Sequence, residues 1–168
     1  MNKGGLNIRS ATVDDVPIIL ELIRALAAYE RAPDEVVATE EQLADVLFGE
    51  KPSAEVLLAF EDHEPVGFAL FFHNFSTWLG QPGLYLEDLF VKPEHRGKGF
   101  GRALLIDLAK IARDRHCGRM EWAVLDWNEP AIQFYRKLGA KPMDEWTVFR
   151  LTRDGIARLA EEKSENVV

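Results

Sequence analysis

Two stretches of the chain hold residues whose types and spacing could do chemistry. In the first, Arg96-Gly97-Lys98-Gly99-Phe100-Gly101 follows an apolar segment, Leu84 to Val91, and precedes Leu104, Leu105, Leu108, Ile111 and Ala112 at helical spacing. Glycines at a strand-to-helix junction let successive backbone N–H groups and the positive helix end converge on an anion, which makes this loop a candidate diphosphate cradle. A plain strand-to-helix turn accounts for the same glycines. Two other nucleotide loops are excluded: a dinucleotide fingerprint needs a third glycine where Arg102 stands, and a P-loop needs Gly-Lys-Ser/Thr where the chain has Gly97-Lys98-Gly99. Just upstream, Glu87 and Asp88 sit among Leu86, Leu89 and Phe90, a setting in which an idle carboxylate is costly. Adjacent residues on a regular strand face opposite ways, so both acids serve one site only if a bulge or strand end re-aims one of them; solvated rim carboxylates are the alternative. In the second stretch, Leu125 to Tyr135, Asn128 can cap a helix whose first turn holds Pro130. Tyr135 carries a phenol of ordinary pKa near 10 that can either supply a proton or pack beside Phe134.

The elements that must position these residues can be read from periodicity and caps. Leu6 to Ala11 reads as a first strand, followed by Thr12-Val13-Asp14-Asp15 with the shape of a capping box and by Val16, Ile19, Leu20, Ile23, Leu26 and Ala27 on one helical face as far as Tyr29-Glu30. Thr39 and Gln42 form a second capping box, opening a helix with Leu43, Val46 and Leu47 that ends at Gly49. Val56–Phe60 and Val66–Phe75, joined by a polar turn, read as a hairpin, and a Gly80-Gln81-Pro82-Gly83 loop leads to the strand Leu84–Val91. Strand, glycine loop, helix and a further strand over Met120–Leu125 make a βαβ unit. A helix from Asn128 to Gly139, a strand near Trp146–Leu151 and a polar C-terminal helix complete the chain. The expected class is α/β with a mixed sheet.

With 168 residues, the chain is long enough for one domain with a proper core. No repeat or flexible linker divides it, so a single domain over residues 1–168, with its core at about 6–160, is expected. A formal net charge of −8 opposes the phosphate neutralisation on which nucleic-acid affinity depends and favours cationic partners. Cys117 is the one cysteine, and His63, His73, His95 and His116 show no ligand-like spacing, so neither an internal disulfide nor a metal is expected. Met1 to Ser10 holds no apolar run of signal-peptide length, and no segment approaches the roughly 18 apolar residues of a membrane span. A cytoplasmic protein without membrane or nucleic-acid partners is the resulting expectation.

Arg96, Gly99 and Gly101 fit the pattern Arg/Gln-x-x-Gly-x-Gly/Ala of the GNAT superfamily of acetyltransferases, and the resemblance runs from Ile8 to about Leu159. Tyr85-Leu86-Glu87-Asp88-Leu89-Phe90-Val91 and Trp127-Asn128-Glu129-Pro130 are similar to the branch containing spermidine/spermine (diamine) acetyltransferases and their thialysine-acetylating relatives. The resemblance implies a mostly antiparallel GNAT-type sheet flanked by helices and a homodimer. It also implies transfer of an acetyl group from acetyl-coenzyme A to a primary amine by direct attack in a ternary complex. Coenzyme contacts are implied at Phe90, Val91, Arg96, Gly97, Lys98, Gly99, Phe100, Gly101, Asn128 and Tyr135, with the amides near Phe90 and Val91 polarising the thioester carbonyl. An amine of the lysine type, with a pKa near 10.4, attacks only when unprotonated; the resemblance makes Glu87 the base, through a water, and Tyr135 the acid. Glu30, Asp88, Trp127 and Trp146 match positions lining the acceptor site of that branch, where acids and aromatic faces suit a cationic chain. Phe75-Ser76-Thr77-Trp78 departs from it, since the polyamine enzymes place an acid about where Ser76 falls; a thialysine-like amino acid or short diamine is therefore expected over spermine. A protein lysine or N-terminal acetyltransferase, or a non-catalytic coenzyme A-binding module, would share the same fold.

Overall fold

In a computed structural model, residues 5–162 are described; Met1 to Gly4 and the last residues of the chain, which the expected domain includes, lie outside them. The chain forms two compact units, Met1–Ala123 and Val124–Val168.

The first unit contains a five-stranded sheet in the order β1-β2-β3-β4-β5. Its strands are β1 (Leu6–Ser10), β2 (Glu55–Glu61), β3 (Glu64–Ser76), β4 (Gln81–Val91) and β5 (Arg119–Trp122). The first four pair antiparallel, whereas β5 joins β4 in parallel, with Tyr85 opposite Glu121. The parallel pair is forced by the helix between its strands, α3 (Phe100–Asp114), since parallel neighbours need a crossover. The mixed, mostly antiparallel sheet flanked by helices is thus as the sequence implies.

Both faces of the sheet are covered, which explains why β2 reads as an unbroken apolar run instead of alternating. α1 (Val16–Tyr29) and α2 (Glu40–Phe48) bury Ile19, Leu22, Leu43 and Leu47 against Val56, Leu58, Phe68 and Phe90. α3 lies against β2, β3 and β4 and buries Leu104, Leu105 and Leu108. The Thr39–Gln42 capping box is present in both directions at 3.0 and 3.2 Å. At the start of α1, the Thr12 amide donates to Asp15 at 2.8 Å, and Arg9 pairs bidentately with the same carboxylate at 2.7 and 2.8 Å. Asp15 is buried, and the Arg9 guanidinium holds its pKa down at about 2, so the buried charge is satisfied rather than costly. Between β3 and β4 the connection is shorter than expected: Gly80, at φ +63°, makes the turn, and Gln81 already pairs with Ser76.

The second unit holds α4 (Glu129–Lys137) and α5 (Arg153–Glu161). The strand expected near Trp146–Leu151 is not formed, and Val148 and Phe149 are almost wholly exposed, at 87% and 92%. Its aromatic and β-branched composition expresses only a local preference, and a strand exists through a ladder partner. β5 likewise stops at Trp122, short of the expected Leu125.

Candidate functional site

The glycine loop is built by a change of direction at the end of β4. Pro93 cannot donate to a ladder, and a short 3-10 turn, Pro93–His95, carries the chain off the sheet. Gly97 and Gly99 then take φ of +76° and +90°, a left-handed conformation that side chains disfavour, and Gly99 is the residue before the first turn of α3. Among the described residues nothing lies within 4 Å of where a Cβ would stand at either glycine, so the loop is open above both. Among the described residues, none accepts a hydrogen bond from the amides of Gly97 through Arg102. Six consecutive unclaimed donors at a helix start are what a diphosphate requires, so these residues fit the coenzyme end that the sequence implies. Phe90 and Phe100 are buried in the core, which leaves their backbone, not their rings, to face a ligand. Arg96 braces the loop: its Nε donates to the Val91 carbonyl at 2.8 Å, and its guanidinium lies 4.2 Å from the centre of the Tyr29 ring.

The carboxylate pair lies on β4 where the ladder is irregular. Leu70 of β3 is opposite Asp88 and Phe71 is opposite Leu86, so Glu87 has no partner across the ladder. This is the bulge that two adjacent acids need in order to serve one site. Leu70 packs on the α1–α2 core, which places Asp88 on the α1 face of the sheet. There Asp88 is half-buried, and its pKa is pushed up to about 6, first by burial and then by the charges of Glu87 and Glu30. Glu30, the residue that ends α1, is also raised by burial, whereas Glu87 is exposed. Three carboxylates from two elements therefore share one field, and a cation placed among them would relieve both the burial and the repulsion.

Two residues of this neighbourhood have no assigned role in the sequence reading. Tyr85, whose ring centroid lies 5.1 Å from that of Phe72, has its phenol pKa raised by burial and by the charges of Glu87 and Glu121. Glu121 is opposite Tyr85 on β5, a pairing that only the parallel register reveals. Ser76, by contrast, is buried, and its hydroxyl accepts from the Leu79 amide at 3.3 Å. It thereby braces the β3–β4 turn.

In the second unit Asn128 acts as expected, its Oδ1 accepting from the Ala131 amide at 3.4 Å at the start of α4, with Pro130 in the first turn. Tyr135 lies in the last turn of the same helix, its ring 5.4 Å from that of Phe134. Trp127 and Trp146 are exposed, at 43% and 66%, so neither is a core anchor. The structure thus gathers Glu30, Glu87, Asp88 and the glycine loop in the first unit and Trp127, Asn128, Tyr135 and Trp146 in the second.

Comparison with known proteins bears on this arrangement directly. The Acetyltransferase (GNAT) family matches residues 19–140, most of the chain and all of the glycine loop. Thialysine N-epsilon-acetyltransferase from Bos taurus is 42% identical over 164 residues, covering 91% of this chain and 96% of its own. L-ornithine N5-acetyltransferase from Arabidopsis thaliana is 35% identical, covering 89% and 85% respectively. Among solved structures, an integron cassette protein from the mobile metagenome of V. cholerae superposes with a TM-score of 0.76 at 30% identity, over 94% of this chain and 98% of its own. The chain belongs to the GNAT acetyltransferase family, enzymes whose co-substrate is acetyl-coenzyme A.

Proposed function

We propose that the protein acetylates the distal amine of a small cationic acceptor, a thialysine-like amino acid or a short diamine, by direct attack in a ternary complex. The observation that carries this reading is that half-buried Asp88, beside the β4 bulge, lies in the field of both Glu87 and Glu30. Relatives whose names specify thialysine and L-ornithine, both amino acids with a distal amine, support it.

The residues divide the work by their exposure. Asp88 and Glu30, partly withdrawn from water, hold the acceptor's positive charge, because a charge-assisted contact is strongest where solvent does not compete. Releasing the amine's proton at neutral pH costs about 4 to 5 kcal/mol, from a pKa near 10.4, so a proton acceptor must stand within reach. Glu87, exposed and unopposed across the ladder, takes that proton through a water and passes it to solvent. When bound, acetyl-coenzyme A supplies an acetyl group activated as a thioester. The amides of Gly97 through Gly101 and Arg96 hold its diphosphate, the amides at Phe90 and Val91 polarise the carbonyl, and Asn128 lines the coenzyme. The Tyr135 hydroxyl gives a proton to the departing sulfur, and Trp127 and Trp146 offer aromatic faces to the acceptor's stem.

The test of this division is the pH–rate profile of Glu87→Gln. Its rate is expected to recover as pH rises, since bulk water then provides the free amine; a profile that parallels the parent at every pH would reject Glu87 as the acceptor of the proton.

A further inference from the structure

The glycine loop is held at both ends by the core but in its middle by something else. Arg96 is tied to β4 and Phe100 is buried, whereas Gly97 and Gly99 are left-handed glycines with no side chain to anchor. The tertiary hold on that segment comes from Lys98, whose Nζ donates to both oxygens of Glu61 at 3.0 and 2.8 Å. Glu61 lies 37 residues away in sequence, at the end of β2, opposite Glu64 across a two-residue turn. In that turn Asp62 and His63 both have positive φ, at 49° and 72°, the left-handed pair that a tight hairpin requires, here without glycine. Such strain persists only where surrounding contacts over-determine it. The contacts are those of His95, the last residue before the loop: its Nδ1 is 2.7 Å from Glu61 and its Nε2 is 3.7 Å from Glu64. The His95 ring is largely buried between the two acids, with 13% of its side chain exposed. Lys98, and after it His95, also holds the Glu61 carboxyl below its ordinary range, so the acid is ionised throughout the neutral region.

We propose that Glu61 is a positioning residue for coenzyme binding: through Lys98 and His95 it clasps the β2–β3 turn to the glycine loop and keeps the loop amides convergent before the diphosphate arrives. A loop so held loses less freedom on binding. An opposite electrostatic effect competes with this one, because a carboxylate beside Lys98 neutralises a cation that a diphosphate would use. The clasp prevails if the loop's shape, set by its left-handed glycines, limits affinity more than its charge does. The inference rests on the reading of the loop as the acetyl-coenzyme A site.

The experiment is titration calorimetry with acetyl-coenzyme A, beside steady-state kinetics, on the parent and on Glu61→Gln. Loss of two partly exposed charge-assisted contacts is expected to raise Kd and KM for acetyl-coenzyme A about three- to tenfold. The kcat at saturating acetyl-coenzyme A and KM for the amine are expected to stay as in the parent, a split that a general loss of stability would not give. Equal or tighter coenzyme binding by a folded Glu61→Gln protein overturns the clasp and leaves the coenzyme reading intact. Failure of the parent itself to bind acetyl-coenzyme A overturns both. Should Glu61→Gln not fold, His95→Gln removes the other arm while Glu61 and Lys98 remain paired; weaker coenzyme binding by that variant supports the clasp, and unchanged binding overturns it.

Discussion

Replacing Asp88 by asparagine tests the acidic site from an unexpected side, because the site residue is also a defect in the fold. Burial, then Glu87, then Glu30, raise Asp88 from 3.8 to about 6. The folded state therefore holds this proton more tightly than the unfolded chain does. The stability this confers is complete below the unfolded value and is lost as pH rises through about 6. Two pK units at about 1.36 kcal/mol each make the ionised carboxylate a liability of about 3 kcal/mol at pH 8. Asp88→Asn is expected to stabilise the protein by up to that amount at pH 8, a rise in Tm of roughly 6 to 12 °C for a chain of this size, and to change little at pH 4. Denaturant unfolding of both proteins from pH 4 to pH 8 separates the cases. The parent is expected to lose stability between about 4 and 6, and the variant to lose less. Glu30, raised in the same direction, leaves a residual slope; Asp15, lowered to about 2, acts only below its ordinary value and does not enter this window. The same variant is expected to lose roughly 10- to 100-fold in kcat/KM for the amine, as a charge-assisted contact to a cation is removed. Parallel stability profiles would refute the burial argument, and an unchanged kcat/KM would refute the role in acceptor binding.

Gly99→Val forces a β-branched residue into φ +90° and fills the space above the loop; acetyl-coenzyme A affinity is expected to vanish in calorimetry while the circular dichroism of the fold is retained. Tyr135→Phe is expected to lower kcat about 100-fold, as for a lost general acid, with coenzyme affinity nearly unchanged; equal rates would return Tyr135 to a packing role beside Phe134.

The helices are legible because their signals are local. The Thr39–Gln42 box and the Asn128 cap, together with one-sided apolar faces, specify where α1, α2 and α4 begin without reference to anything distant. The sheet is legible where hairpins connect neighbours, and Trp146–Leu151 shows the limit: a β-like composition creates no partner. At the site, two adjacent acids on a strand announce that a bulge is needed, but only the register against Leu70 and Phe71 locates it at Glu87. The Ser76 hydroxyl serves the backbone of its turn, a contact that residue type and spacing do not announce. Tyr85 with Glu121, and Glu61 with His95 and Lys98, are joined by pairings distant in sequence, for which no short-range pattern exists.

The acceptor preference tests the account most directly. In the proposed function Glu30, Glu87 and Asp88, whose charges act together at Asp88, serve one distal ammonium, whereas the further cations of a polyamine need acids spaced along a groove. Thiol release at saturating acetyl-coenzyme A, with thialysine, lysine, ornithine, putrescine, spermidine and spermine in one buffer, gives kcat/KM for each. The account predicts turnover with the highest value for an amino acid or short diamine, and at least about tenfold less for spermine, the worth of one charge-assisted contact. A clear preference for spermidine or spermine, or no turnover with any of the six, would contradict it.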